Sequence, residues 1–453
     1  MVKDEDTTGT SCDGVRPKVS TIISRPGITQ KLLWVGLAAL AIRLLYLCLN
    51  PKPLVSDEMD YQNLASGLVS HLSYATDSVP TAYRPVGYPA FVSLIYFVTG
   101  IKPVAVKIVQ AVLDSSIVFF LPTMVETQSE KARLLVGATW ALFPPAILYP
   151  NTLMSETLFT VILVAAAWLF VHRSGLTGGR LLLGIVTGFL ALIKPATIIL
   201  LAGLIVADSV LTKSWRFALV AVAGFAIVVL PWTIRNWMVV GEPVIATNSG
   251  VNLLIGNNPD ANGSYTSKVA LREADPSMDE GSRDRFAFRQ AVAFIASHPG
   301  TFFVNGVKKY AHIVSSESYL LVSQFGEGSP DGGVSLARRY AGVPLLAAIL
   351  VNGTYAGILV VGWLGLVASS KSRLRSFVVS LLVTFLLTHL VTFGGSRFHF
   401  PLMPFFALFA VQGASHARVL FRGLSGPKKT LFLLVLSSFI VVWGVEAVIV
   451  FRA

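Results

Sequence analysis

Charge is what this chain has least of. Asp, Glu, Lys and Arg make up 13% of its 453 residues, about half of the roughly 25% usual in a soluble domain. Set against 54% hydrophobic residues, that shortage excludes a water-solvated fold and makes lipid the main solvent. Acidic residues are the scarcer sign, 24 against 36 Lys and Arg, which leaves a net charge of +12. On a soluble protein such an excess would suggest nucleic acid. Here no Lys/Arg cluster is interleaved with aromatics and the basic residues collect in short loops, so nucleic acid is set aside as a partner. The two cysteines, Cys12 in a polar stretch and Cys48 in an apolar run, exclude a disulfide framework. Residues 1–31 hold no apolar core followed by a small-residue cleavage site, and they read as a cytoplasmic polar tail. P-loop, G-x-S-x-G and H-E-x-x-H patterns are missing from any credible context. Internal repeats and heptads are missing too.

What is present is a series of long apolar segments. The first, "LLWVGLAALAIRLLYLCLN" over 32–50, is about as long as a bilayer-spanning helix needs to be. Hydropathy is ambiguous at "YRPVGYPAFVSLIYFVTG", whose apolar part is too short to span comfortably. The distribution of positive charge arbitrates. With 85–99 as a surface or re-entrant helix, eleven spans remain: 32–50, 103–124, 132–149, 156–171, 181–193, 195–211, 216–234, 342–367, 376–394, 400–420 and 430–450, the pair Lys194-Pro195 breaking one apolar run into the short spans 181–193 and 195–211. The loops carrying Lys131/Arg133, Arg173/Arg180, Lys213/Arg216, Lys371/Arg373/Arg375 and Arg418/Arg422 then all lie in the cytoplasm. The expected fold is an all-α polytopic membrane protein of about eleven spans. Its parts are the tail 1–31, an N-terminal transmembrane module 32–234 with an outer loop 51–102, a large extracytoplasmic loop 235–341, and C-terminal spans 342–453. Within the large loop, Phe288, Val292 and Ile295 recur at helical spacing before Pro299 interrupts, and "TFFVNGVKKYAHIV" follows as a surface helix.

Against this background "SDEMDYQNLAS" stands out, with Asp57, Glu58 and Asp60 within four positions directly after the first span. It reads as an amphipathic surface helix with Ser56 at its N-cap and Tyr61, Leu64, Leu68 and Leu72 as its apolar stripe. Acids in a first turn favour the helix dipole by about 0.3–1 kcal/mol. A carboxylate at the bilayer edge also suits a catalytic base, and the two readings are compatible. Glu156, at the start of a span in "YPNTLMSETLF", is an ionisable group at membrane depth and so a functional candidate. Arg84 in "TAYRPVGYP" and Arg397 in "GGSRFHFP" are the cationic candidates; guanidinium forks suit a phosphate, and interfacial arginines also simply snorkel. His399 reads as structural or interfacial. One histidine with no second His or Cys close by makes no metal site. The residues specify no cofactor and leave a divalent cation open.

Taken in order, D-E-x-x-Y (57–61), R-P-x-G-Y-P (84–89), S-E-T-L-F (155–159), N-L-x-x-G-N-N-P (252–259) and R-F-x-x-P-L-x-P-F (397–405) resemble the integral-membrane glycosyltransferases of the GT-C class. Within it they are most similar to the ArnT-like and dolichyl-phosphate-mannose protein mannosyltransferase-like group, glycosyltransferase family 39. The resemblance covers about residues 33–420. It implies a GT-C-like bundle in the cytoplasmic (inner) membrane with its site facing the periplasm or cell exterior. It implies inverting transfer of a sugar from a polyprenyl-phosphate carrier to a lipid, glycan or protein acceptor. By motif, Asp57 stands at the catalytic base and Glu156 at the second acidic position. Arg84 stands where aminoarabinose transferases have a carrier-facing lysine, Arg397 at the late basic position, and Glu58, Tyr61, Tyr88 and His399 in support. His399 departs from the second arginine many relatives have. The rival reading is a transporter or flippase of lipid-linked sugars, which would show inverted repeats or broken helices near mid-membrane.

Overall fold

The computed structural model describes residues 26–125, 129–265, 277–326, 340, 342–414 and 417–451. The tail assigned to 1–31 therefore lies mostly outside the described residues, and the first helix, Pro26–Leu49, already occupies the end of that range. The chain is an all-α polytopic membrane protein. Among the described residues the only paired strands are the two-residue arms Ala75–Thr76 and Val79–Pro80.

Seven helices are long and apolar enough to cross a membrane, and two bent helix pairs add two further candidate spans. Helices Thr177–Ile193 and Thr197–Thr212 are shorter and complete the eleven segments read from hydropathy. They are separate because Pro195 cannot continue a helix and pushes Lys194 before it into extended backbone (φ −136°, ψ 100°). Gly87–Thr99, the segment that charge distribution excluded as a span, is an apolar helix of only 13 residues. The helix Gly426–Phe451 turns Leu434, Ile440 and Val441 outward, the surface that hydrocarbon rather than water would cover. The main core is aromatic where the spans converge: Trp140, Phe143, Tyr149 and Phe400 are buried and their rings lie within 6 Å of one another in a chain.

The segment 241–326 builds four helices beside this bundle: Ser249–Gly256, Glu280–Ser297, Pro299–Val314 and Ser318–Phe325. Pro299 falls at the first position of the third, where its missing N–H costs nothing. The stripe of Phe288 and Val292 faces outward, both being exposed. Ala287 and Ala291, one position earlier in each case, are the residues that pack inward. Small side chains let this helix approach Ser249–Gly256 closely, so bulk at the flanking positions is left outside.

Candidate active site

The helix Asp57–His71 forms as its sequence suggests, with three acids in its first turn and Tyr61 and Leu64 buried beneath it. Its edges differ. Ser56 takes the N-cap position at φ 49° and makes no side-chain capping bond, while Glu58 ties down the approach to the helix by accepting the Val55 amide at 3.1 Å. Leu72 falls off the apolar stripe because it is the left-handed C-cap residue, and it is almost fully exposed.

A hairpin follows. Asp77 and Ser78 both adopt positive φ, as a two-residue type I′ turn requires. The returning strand is pinned from three sides. Arg235 donates to the carbonyls of Thr81 (2.6 Å) and Tyr74 (3.1 Å). Glu280 accepts the Thr81 hydroxyl (2.5 Å), the Ala82 amide (2.8 Å) and the Thr247 hydroxyl. The Tyr74 hydroxyl donates to the Arg84 carbonyl (2.8 Å). Arg84 thus sits on a braced segment, directly before Pro85. The next helix packs so tightly that a Cβ on Gly87 would lie 2.8 Å from the Leu192 carbonyl oxygen, which seats Arg84 near the end of helix Thr177–Ile193.

Arg397 comes from the other end of the chain, on the 3-10 turn Ser396–Leu402. A side chain at Gly394 would collide with the Lys309 carbonyl oxygen, and its amide donates to Gly263 at 2.8 Å. Lys309 is buried. It bonds Asn257 Oδ1 (3.0 Å) and the Leu390 carbonyl (2.9 Å), with burial lowering its pKa to about 8. Asn257 and Asn258 of the N-L-x-x-G-N-N-P motif are likewise occupied in tying that loop together. That motif shapes the scaffold under Arg397.

These elements bring Asp57, Arg84 and Arg397 together. Arg84 donates to Asp57 Oδ1 at 2.6 Å and Arg397 to Asp57 Oδ2 at 2.9 Å, so each carboxylate oxygen holds its own guanidinium. Arg84 also reaches Asp60 (2.8 Å), which is half exposed, and Arg397 lies over the Tyr319 ring at 5.0 Å. Burial would raise the Asp57 pKa, but the two arginines outweigh it and hold the group below the usual carboxylate range. Burial likewise opposes the Arg84 charge, and Tyr61, Asp57 and Asp60 more than restore it. Tyr61 underlies the group: burial pushes its phenol up to about 12, and it feels Arg84, Asp57, Glu156 and Arg397 together. Asp57, Arg84 and Arg397, separated by up to 340 positions in sequence, are one cluster.

The remaining expectations sort by partner. Glu58 is buried and accepts the Leu153 amide (2.8 Å) as well as that of Val55; burial is the main cause of its raised pKa. It anchors the surface helix onto the bundle. Tyr88 packs edge-on against Tyr61 (4.8 Å between centroids) and donates to Gln110 (3.0 Å). His399 is buried on the stacked ring of Tyr355, bonded through Nδ1 to the Ile313 carbonyl (2.7 Å) and through Nε2 to Glu317 (2.9 Å). It holds the Arg397 turn against the helix that carries Tyr319. Glu156 is almost fully buried and paired at 3.1 Å with Lys194.

Lys194, Glu280, Glu317 and Tyr319 were not singled out from sequence. Lys194 could have been, since a lysine inside an apolar run is itself a functional signal at membrane depth. Among the described residues no group of three or more His, Cys, Asp and Glu could hold a metal ion. Beside Arg84 a cleft of about 550 Å³ opens between the hairpin and helix Glu280–Ser297, lined among others by Asp60, Asn63, Tyr83, Arg84, Glu280 and Arg283.

No family model and no curated protein matches the chain. Similar solved structures include the archaeal oligosaccharyltransferase AglB from Archaeoglobus fulgidus in complex with an inhibitory peptide and a dolichol-phosphate, at a TM-score of 0.49 and 14% identity over 94% of this chain. They also include the apo oligosaccharyltransferase of the same organism, at a TM-score of 0.48 and 12% identity over 94% of this chain and 56% of that one. A third is ArnT from Cupriavidus metallidurans bound to undecaprenyl phosphate, at a TM-score of 0.40 and 13% identity over 88% of this chain and 81% of that one. The chain spans about 56% of the length of the AglB chain it matches.

Proposed function

We propose that this protein is an inverting GT-C-type glycosyltransferase that moves a sugar from a polyprenyl-phosphate carrier to a cell-envelope acceptor, on the extracytoplasmic side of the membrane. The observation that carries this reading is one carboxylate, Asp57, held between two guanidinium groups at the mouth of a helical bundle. The five ordered motifs point the same way. So does charge: Arg173, Arg180, Lys213 and Arg375 lie at or next to helix ends remote in topology from the Asp57 end, as the positive-inside rule expects for the cytoplasmic side.

The resting geometry suggests how the base is controlled. With both oxygens engaged, Asp57 is a poor proton acceptor. A carrier phosphate offers Arg84 and Arg397 a better partner, because it takes bidentate guanidinium contacts; Arg84 also has a buried Nε without a partner among the described residues. Moving the arginines onto phosphate removes what lowers the Asp57 pKa and leaves burial, which raises it. Donor binding would thus turn a latched counter-ion into a general base. The acceptor hydroxyl enters from the cleft beside Asp60 and Arg84 and gives its proton to Asp57. Its oxygen attacks the anomeric carbon, and the carbon–oxygen bond to phosphate breaks from the opposite face. Polyprenyl phosphate leaves with the electron pair, its charge met by the two arginines.

A carrier transporter is the competing reading, and the 55° bend between Glu130–Leu142 and Pro144–Asn151 is of the kind transporters use. Asp57, Arg84 and Arg397 nevertheless sit outside the long apolar helices, on a surface-helix first turn, the segment after the hairpin and a 3-10 turn. The test is purified protein in detergent given polyprenyl-phosphate sugars and an envelope glycan or glycolipid extract. A new glycosidic bond of inverted configuration, with polyprenyl phosphate released and free polyprenyl phosphate inhibiting, is the expected result. Carrier binding with no bond made under any donor would overturn the enzyme reading.

A further inference from the structure

Glu156 and Lys194 form a second charged site next to the first. Glu156 opens the helix Ser155–His172, and its side chain is 3% exposed. Its Oε1 accepts Lys194, while Oε2 has no hydrogen-bond partner among the described residues. Lys194 is about a quarter exposed and lies 5.5 Å from the ring centres of both Phe159 and Phe398. Phe398 is also the ring under Arg397, at 5.2 Å, so this pair adjoins the proposed phosphate site.

A buried carboxylate oxygen without a donor is expensive to keep unless something supplies the bond. The surroundings say what kind of group does so. The donor must be an O–H or N–H, and the Lys194 beside Glu156 lies against the rings of Phe159 and Phe398, which favour an apolar C–H face. The donor arrives beside a carboxylate that Lys194 has already neutralised, so a second cation there would meet the ammonium. A neutral sugar ring has all three properties.

Resting on the transferase reading above, we propose that Glu156 and Lys194 form the subsite for the transferred sugar, with Glu156 Oε2 accepting one ring hydroxyl, and that this subsite selects neutral sugars over ammonium-bearing ones. Glu156 is then a specificity residue that binds the donor sugar, and Asp57 alone handles the proton.

The test is transfer kinetics of the full chain in detergent with a panel of polyprenyl-phosphate pentoses and hexoses, their monodeoxy forms and amino-sugar forms. In the wild type, one deoxy position should lower kcat/KM roughly ten- to hundredfold, the size of one hydrogen bond to a charged group. The amino analogue at that position should be similarly poor. In Glu156→Gln, whose carboxamide can rotate to bond other partners and no longer neutralises Lys194, the parent-to-deoxy ratio should fall toward one. Lys194→Arg, which keeps the pair, should preserve it. A purely structural Glu156 would slow parent and deoxy donors alike and leave the ratio unchanged, which would overturn the proposal. Should Glu156→Gln fail to fold, the wild-type panel still decides: a flat response to every deoxy and amino donor overturns the subsite while leaving the transferase standing. Absence of transfer from every donor would overturn both.

Discussion

Asp114 and Asp57 both hold arginines, and their settings differ. Asp114 and Arg43 meet between spans Pro26–Leu49 and Pro103–Phe120, both side chains fully buried. Arg43 places its Nε on Asp114 at 2.7 Å and its terminal nitrogens on the carbonyls of Ala39 (3.0 Å), Ala141 (3.2 Å) and Trp140 (3.4 Å). Asp57 has two arginines and keeps 15% of its side chain exposed, and one of those arginines, Arg84, lines a cleft. The first arrangement exhausts its guanidinium on fixed protein oxygens and is fully buried. Although Asp114 Oδ1 has no hydrogen-bond partner among the described residues, nothing exposed leads to it, and the pair holds helices together. The second places two arginines on one carboxylate at a partly exposed position, with Asp60 balancing the charge, and these are partners an anion could replace. The same residue types give a rivet in one setting and a site in the other; what separates them is whether a competing ligand can arrive.

Substitutions should break that comparison in different ways. The largest effect is expected inside the bundle. Removing one partner of a buried pair typically costs about 3–5 kcal/mol because the other charge is left stranded. Arg43→Ala should therefore cut the yield of folded protein and lower its thermal unfolding temperature sharply; an unchanged melt would show that the pair is no rivet. At the site, Arg397→Ala and Arg84→Ala should each lower kcat/KM for the lipid donor by at least about tenfold with little change in melting. Arg84→Lys should retain more activity than Arg84→Ala, as the resemblance to lysine-bearing transferases implies. Equal activity of wild type and the double Arg84→Ala, Arg397→Ala variant would remove the phosphate role.

A subtler effect lies in pH dependence. In the free protein the arginines depress Asp57, so the stability from this cluster is complete above the ordinary carboxylate range near pH 4. It is lost only as pH falls through the depressed value. Donor binding reverses the balance. The acid limb of kcat, which reports the complex, should therefore lie at higher pH than the acid limb of kcat/KM, which reports the free enzyme. Coincident limbs would mean that the latch does not open. The smallest effect belongs to Asp60, half exposed and bonded to Arg84: Asp60→Asn should stay within about 0.5 kcal/mol of wild type in stability and close to it in transfer rate.

Much of this was legible in the sequence because lipid imposes simple rules. Apolar run length marked the spans, loop charge removed 85–99 from the count, and the Lys194-Pro195 step marked a real break between helices. The site was legible as residue types, since carboxylates and arginines in so apolar a chain must be partnered or functional. Which of them meet was not. Asp57 and Arg397 are joined through Gly394 packing on Lys309 and through the loop of Asn257, contacts that no local pattern announces. Lys194 read as a helix breaker because its proline neighbour explained it fully. Phe288 and Val292 kept helical spacing yet faced outward, since spacing gives a stripe and only the neighbouring helix decides which stripe is buried.

The central claim is that Asp57 is the base and not a helix-start acid. Single-turnover transfer from a polyprenyl-phosphate sugar by Asp57→Asn, measured beside its thermal unfolding and its binding of polyprenyl phosphate, tests this most directly. Asn keeps the shape and serves the first helical turn nearly as well as Asp, while losing general-base help costs about 10²–10⁴-fold. The account predicts a variant that folds, binds carrier and transfers sugar slower by that factor. Transfer within a few-fold of wild type, or a loss matched by unfolding, would contradict it and leave Asp57 a counter-ion for its two arginines.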